Sequence, residues 1–175
     1  MSKVNSKVFF DRVSTSLGTM VLASDGDSLT GAWFDGQRHQ PPVEASWQQQ
    51  RGLALLRQAE AELAEYFAAG RTAFSLPLAP AGTPFQREVW RAIAAVPYGE
   101  TIAYRDLAAR IGRPGSIRAA GAATGRNPLS IIVPCHRIVG ADGALTGYAG
   151  GIERKRTLLA LERRGGVAPA VRRAA

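Results

Sequence analysis

Thr83-Pro84-Phe85-Gln86-Arg87-Glu88-Val89-Trp90-Arg91-Ala92-Ile93-Ala94-Ala95-Val96-Pro97-Tyr98-Gly99 carries its own start and stop signals. Thr83 is placed to cap a helix, and Pro84 suits the first helical position, where no N–H donor is needed. Gln86 follows the cap by three residues, the spacing of a capping box. Phe85, Val89, Trp90 and Ile93 recur at helical spacing and predict the buried face. Pro97-Tyr98-Gly99 ends the run, because proline cannot continue a helix and glycine tolerates the turn beyond it.

Upstream, residues 71–82 contain Pro77, Pro80 and Gly82 and read as an extended linker. The domain boundary is therefore set there: 1–82 as an N-terminal unit with its linker, 83–175 as a C-terminal unit. The N-terminal unit opens with short apolar runs around Phe10, Met20–Ala23 and Leu29–Phe34, separated by turn residues. Asp25-Gly26 and Asp35-Gly36 are both hairpin signals. Residues 37–47 are polar and read as a loop. From about Gln48 the period changes, and Leu56, Ala59, Leu63, Tyr66 and Phe67 fall at helical spacing, with Gly70 where the helix would end.

Downstream, two short helices are expected over 103–111 and 116–123, joined by Gly112-Arg113-Pro114-Gly115 at helix-turn-helix spacing. Ile131–Val133 is a short β-branched run, Ile152–Arg163 a last helix, and a frayed tail is expected from about residue 165. The fold class that follows is α/β (α+β): a small sheet-plus-helix domain, then a mainly helical domain with a helix-turn-helix.

The 175 residues hold one cysteine and two histidines and carry a net charge of +8. One thiol excludes an internal disulfide and any multi-cysteine zinc site. Neither a signal-peptide core nor an apolar run of membrane-spanning length is read in the sequence, so a cytoplasmic setting is expected. Residues 1–83 hold 7 basic and 8 acidic side chains, a net of −1; residues 84–175 hold 15 and 6, a net of +9. Lys155 is the only lysine of that second half. Arginine's planar fork suits phosphate oxygens and base edges, which makes a nucleic acid one candidate partner and a merely solvated cationic surface the other.

Cys135 stands in Pro134-Cys135-His136-Arg137, beside one of the two histidines. Imidazole and guanidinium neighbours favour the thiolate, the reactive form of cysteine. On a strand, consecutive side chains face opposite ways, so His136 needs a turn or a bridging water to act on the thiol.

The blocks Thr83–Gln86, Val89-Trp90, Val96–Thr101, Asn127-Pro128 and Ile131–Arg137 occur together in one order, followed by Gly147–Gly151 and Lys155–Glu162. This set resembles the O6-alkylguanine-DNA alkyltransferases, also called methylated-DNA–protein-cysteine methyltransferases, densely over residues 84–163 and more loosely before. The resemblance implies direct DNA repair: an alkyl group passes to Cys135 from O6 of guanine, and from O4 of thymine in O4-methylthymine. A thioether is not readily cleaved, so one transfer per molecule is expected.

By the same resemblance His136 takes the thiol proton through a water, Glu162 orients that imidazole, and Asn127 holds the loop ahead of Cys135. Tyr104 contacts phosphate and donates a proton toward the departing base. Tyr148 stacks on an extruded base, whose edges are read by backbone groups of Cys135, Ile138 and Ala149, with Gly150 beside them. Relatives often carry Ser where Ala149 stands. Arg118 fills the space of a flipped nucleotide, and Ser116, Ala119 and Gly121 lie on the same helix against the minor groove. The expected partner is duplex DNA containing O6-alkylguanine, bound by a monomer with or without cooperativity, and with no metal, organic cofactor or membrane. Two other readings compete: a DNA-recognition module without chemistry, against which the retained Cys135, His136 and Glu162 argue, and a cysteine hydrolase that turns over esters.

Overall fold

The computed structural model describes residues 7–165. Its elements run β1 (Phe9–Thr15), β2 (Gly18–Ser24), β3 (Leu29–Phe34), β4 (Gln48–Gln49), α1 (Ala54–Phe67), α2 (Pro84–Ala94), β5 (Ile102–Ala103), α3 (Tyr104–Arg110), α4 (Ile117–Gly125), β6 (Ile138–Val139) and α5 (Ile152–Gly165). A single 3₁₀ turn, Cys135–Arg137, precedes β6. The architecture is mixed α/β: a four-stranded sheet with one helix in the first half, then a helical second half.

The sheet order is β3-β2-β1-β4, antiparallel except for the short parallel pairing of β4 with β1. Alternate residues of β2 serve different layers. Met20 and Leu22 face the main core with α1, whereas Val21 and Ala23 join Phe10 and Trp33 under Trp47 and Val43. A strand covered on both faces reads as a continuous apolar run, as Met20–Ala23 does.

The free edge of β3 is closed by the linker and by chain from the other half. Leu29 N donates to Pro77 O (2.8 Å), and Ala79 N donates to Leu29 O (3.0 Å), so part of the linker pairs with the sheet. Farther along, Ala32 N donates to Pro128 O and Ser130 N to Ala32 O, each at 2.8 Å. One continuous core results, running from Val13 and Phe34 through Tyr66 and Trp90 to Leu129 and Leu158.

The helix over 84–94 has the expected cap. Thr83 Oγ1 accepts from Gln86 N, Gln86 Oε1 accepts from Thr83 N, and Val89, Trp90 and Ile93 are buried, with Phe85 half-buried. Elsewhere the local signals misled. Asp25-Gly26 turns a hairpin between β2 and β3, but Asp35-Gly36 does not: β3 is the edge strand, and the chain leaves it into the 37–47 loop. Gln48-Gln49 forms β4 rather than a helix start, and α1 begins only at Ala54. At its end the left-handed position falls to Ala69 (φ 57°), not Gly70. Ile131–Val133 is no regular strand, because Ile131 itself is left-handed (φ 73°). α5 continues regularly through Gly165, and the rest of the expected tail lies outside the described residues.

Candidate active site

Cys135 opens the 3₁₀ turn, and that turn is what brings the next two side chains to one side. Asn127 fixes the approach to it. Its Nδ2 donates to Val133 O (2.8 Å), to Leu129 O (3.4 Å) and to Cys135 Sγ (3.1 Å), while its Oδ1 accepts from Leu129 N (3.0 Å). A buried amide so engaged holds the 127–135 loop closed and also touches the sulfur directly, which loop-holding alone does not require. The same loop seals the edge of β3, so the sheet backs the reactive turn.

Behind the turn, Glu162 of α5 is fully buried and accepts five hydrogen bonds. Oε1 receives His136 Nε2 (2.7 Å), Tyr66 OH (2.7 Å) and Arg137 Nη2 (3.0 Å). Oε2 receives Arg137 Nε (2.9 Å) and Gly99 N (3.1 Å). Burial alone would raise the carboxyl pKa, but hydrogen bonds from His136 and Arg137, the Arg137 charge and, once the imidazole is protonated, the His136 charge hold it down to about 2. An ionised carboxylate only accepts, so Nε2 of His136 carries the hydrogen and Nδ1 keeps its lone pair. Nδ1 is buried without a hydrogen-bond partner. Burial lowers the imidazole pKa, against the opposing pull of Glu162, so the ring rests neutral and is competent as a base.

The thiol is not pre-ionised. Burial raises the Cys135 pKa, and the Asn127 amide and the Lys155 charge offset this only in part. The sequence suggested that Arg137 would help ionise Cys135; instead its guanidinium grips Glu162 and Val96 O (2.5 Å) and stacks 5.6 Å from the Tyr98 ring centroid. A buried thiol beside a neutral base is an arrangement for deprotonation at the moment of reaction.

A groove of about 360 Å³ is lined by Tyr104, Gly121, Ala122, Arg126, Tyr148 and Ala149 among others, together with Arg38 and His39 from the 37–47 loop. Tyr104 OH donates to Thr146 O (3.2 Å), and burial, then the nearby Cys135, raises its pKa so that it keeps its proton. Tyr148 is half-buried and its hydroxyl finds no hydrogen-bond partner. Gly150 packs so closely that an added Cβ would meet the Tyr148 ring at 2.7 Å and Phe34 at 3.0 Å. Ala149 O accepts from Arg38 N (3.1 Å), which pins this loop to the first half of the chain.

Arg118 and Ala119 are exposed on α4, Gly121 is half-buried near the Tyr104 ring, and Ala120 and Ala123 face the core. Ser116 sits at the start of α4 without a side-chain capping bond. The small residues thus divide: one set packs the helix inward, the other leaves an open face crowned by Arg118.

Two residues that the sequence reading did not place at the site stand in the cluster. Lys155 is fully buried, and its Nζ donates to Ile138 O (2.6 Å), Thr146 O (3.1 Å) and Gly147 O (3.3 Å). Burial lowers its pKa to about 8. A lone lysine in an arginine-rich half is the signal that could have found it, because three converging carbonyls suit a compact ammonium rather than a planar fork. Of the Ile138 backbone groups, the carbonyl is engaged by this lysine. Tyr66, taken as one member of an apolar helix stripe, is the other.

Residues 84–164 match the family described as the 6-O-methylguanine DNA methyltransferase DNA binding domain, and residues 9–80 match the ribonuclease-like domain of the same methyltransferases. A methylated-DNA–protein-cysteine methyltransferase of Mycolicibacterium paratuberculosis is 45% identical over 152 residues, covering 87% of this chain and 90% of the relative. One from Methanosarcina barkeri is 40% identical and covers 89% and 97%. Among solved structures, Mycobacterium tuberculosis O6-methylguanine methyltransferase superposes with a TM-score of 0.84 at 44% identity, over 93% of this chain and 96% of that one. Mycobacterium tuberculosis OGT in complex with DNA gives the same TM-score at 42% identity, over 90% and 94%.

Proposed function

The chain belongs to the methylated-DNA–protein-cysteine methyltransferase family, and from that premise we propose that Cys135 is the acceptor for a single transfer per molecule. It repairs O6-methylguanine in DNA directly, by methyl transfer to an active-site cysteine. The observation that carries the assignment of roles is the buried line Cys135, His136, Glu162, with Asn127 on the sulfur.

The thiol proton passes to Nδ1 of His136, directly or across one water, and Glu162 stabilises the imidazolium that forms. The sulfur electron pair then makes an S–CH₃ bond as the C–O6 bond breaks. Tyr104, still protonated, offers its hydroxyl hydrogen to the departing guanine, which leaves with less charge. The S–C bond of the product has no carbonyl for water to attack, so the protein is consumed one molecule per lesion. O4-methylthymine presents the same alkyl–oxygen bond and is taken as a second substrate.

The base must leave the duplex to reach a buried sulfur, at a cost of a few kcal/mol. Tyr148, Ala149, Gly150 and the backbone at Ile138 form the pocket, and Arg118 takes the vacated place in the stack from the minor-groove side. Ser116, Ala119 and Gly121 let α4 lie close to the backbone. On this reading the protein binds damaged duplex DNA as a monomer, in the cytoplasm, without a cofactor. Residues 83–175 carry the chemistry and 1–82 support it. Among the described residues no helix is long and apolar enough to cross a membrane.

Intact mass after mixing with duplex O6-methylguanine tests the assignment. A gain of about 14 Da that maps to Cys135, stops at one per chain and is absent in C135A is expected. DNA binding without any gain leaves the recognition-module reading standing instead. Continuing ester turnover would support the hydrolase.

A further inference from the structure

Among the described residues, one side chain from the first half of the chain bonds the Glu162 carboxylate. Tyr66, on α1, is fully buried, with its ring packed among Phe67, Phe74 and Tyr98 at centroid distances of 5.5, 5.7 and 6.1 Å. Its hydroxyl donates to Oε1 of Glu162 at 2.7 Å, the same oxygen and the same distance as His136 Nε2. Four aromatic rings would pack equally well with phenylalanine at this position. The hydroxyl is therefore a polar group placed in an apolar cluster, and its partner is the carboxylate that steadies the base.

We propose that Tyr66 is a positioning residue for methyl transfer: by sharing Oε1 it limits how strongly Glu162 draws a proton onto His136. The proposal rests on reading Cys135, His136 and Glu162 as a proton relay. A carboxylate oxygen that already accepts from a phenol has less charge left for an imidazolium. Tyr66 itself never gives up its proton, because burial and then the Glu162 charge push its pKa far above the usual tyrosine range. The other groups facing this centre are Lys155 on α5, Arg137 and Cys135 on the turn, and Tyr98 after α2. None of them is hydrogen-bonded to the Tyr66 hydroxyl, whose partner is Glu162. Without that hydroxyl, Oε1 leans more on His136, the imidazole holds its proton to higher pH, and the neutral base becomes scarcer on the acid side.

The test is the rate constant of methyl transfer from about pH 4 to pH 8, a window that reaches below the ordinary histidine range because burial lowers the His136 pKa. It compares wild type, Y66F, a protein with a ring-fluorinated tyrosine at position 66, and H136Q. The acid limb of Y66F should move up by roughly half to one pH unit, making it about three- to tenfold slower on that limb. Fluorination makes the phenol a stronger donor and should move the limb the other way; it carries the test alone should Y66F not fold. Profiles that superimpose for all Tyr66 variants would overturn the proposal, whatever happens to melting temperature or to the plateau rate. H136Q separates the two levels: a limb that persists in H136Q defeats the relay reading itself. A limb lost in H136Q but unmoved by both Tyr66 changes defeats only the role of Tyr66.

Discussion

Two glutamates, each buried on a 14-residue helix, have opposite uses. Glu62 on α1 is 4% exposed and accepts from Gln58 Nε2 (2.9 Å) and Ser75 N (2.8 Å), with Arg71 Nη1 at 3.4 Å. Glu162 on α5 is 0% exposed and accepts from a backbone N–H, an arginine, a tyrosine and a histidine. The first ties a helix to the linker that follows it, through groups that keep their protons. The second faces an imidazole that can gain one. Burial of a carboxylate therefore marks no reactive site by itself; a titratable neighbour with a free lone pair does.

The largest expected effect breaks this symmetry outright. E162Q should slow methyl transfer by about 100-fold or more, in line with the usual contribution of acid–base assistance. E62Q should leave the rate within about twofold while lowering stability by roughly 1–3 kcal/mol, read by urea denaturation. Comparable rate losses in the two variants would erase the distinction.

The same contrast exists among the cations, between caged Lys155 and exposed Arg118. K155R keeps the charge but not the compact ammonium, so the carbonyls of Ile138, Thr146 and Gly147 must part. A rate loss of about tenfold or more on duplex and free modified base alike is expected. R118A should slow repair of duplex by about tenfold and leave reaction with free O6-benzylguanine nearly unchanged, since no flipping is then needed. Equal losses on both substrates would remove Arg118 from the stack.

The smallest effect concerns stability against acid. The folded pKa of His136 is lowered, so the unfolded chain binds more protons below about pH 6.5 and stability falls as pH drops through that value. Glu162, held at about 2 when folded against an ordinary 4.5, adds stability that is present above 4.5 and lost as pH falls from there toward 2. Melting temperature should thus decline in two stages, and E162Q should lack the second. A wild-type profile flat between pH 7 and pH 3 would contradict both shifts.

The sequence disclosed most where one residue's neighbours along the chain decide its state. The capping box at Thr83, the α2 face and the β2–β3 turn are of this kind. Cys135 and His136 were legible as a pair, yet the 3₁₀ turn that relates them was not, because it depends on the left-handed Ile131 and the Asn127 bonds before it. Asp35-Gly36 carried a hairpin signal that the sheet could not use, since the next partner of β3 comes from residues 77–79 and 128–130. Tyr66 sits in the same apolar pattern as Leu63 and Ala59, and only the tertiary fold shows its hydroxyl meeting Glu162. Lys155 stood out as the lone lysine of the basic half, but the carbonyls of Ile138, Thr146 and Gly147 that cage it are brought together only by the fold.

Tyr66 and Glu162 lie 96 residues apart along the chain, and Gln37 and Ser130, joined at 3.0 Å, lie 93 apart. Contacts of that separation form late in folding, because a long loop must close before they stabilise anything. Asn127, His136 and Glu162 meet around Cys135 within the second half alone, over separations of 8 and 26 residues. What waits for the first half is the seal of the 127–135 loop against β3 and the Tyr66 bond to Glu162. Docking of the two halves thus finishes a site whose reactive groups one half already gathers.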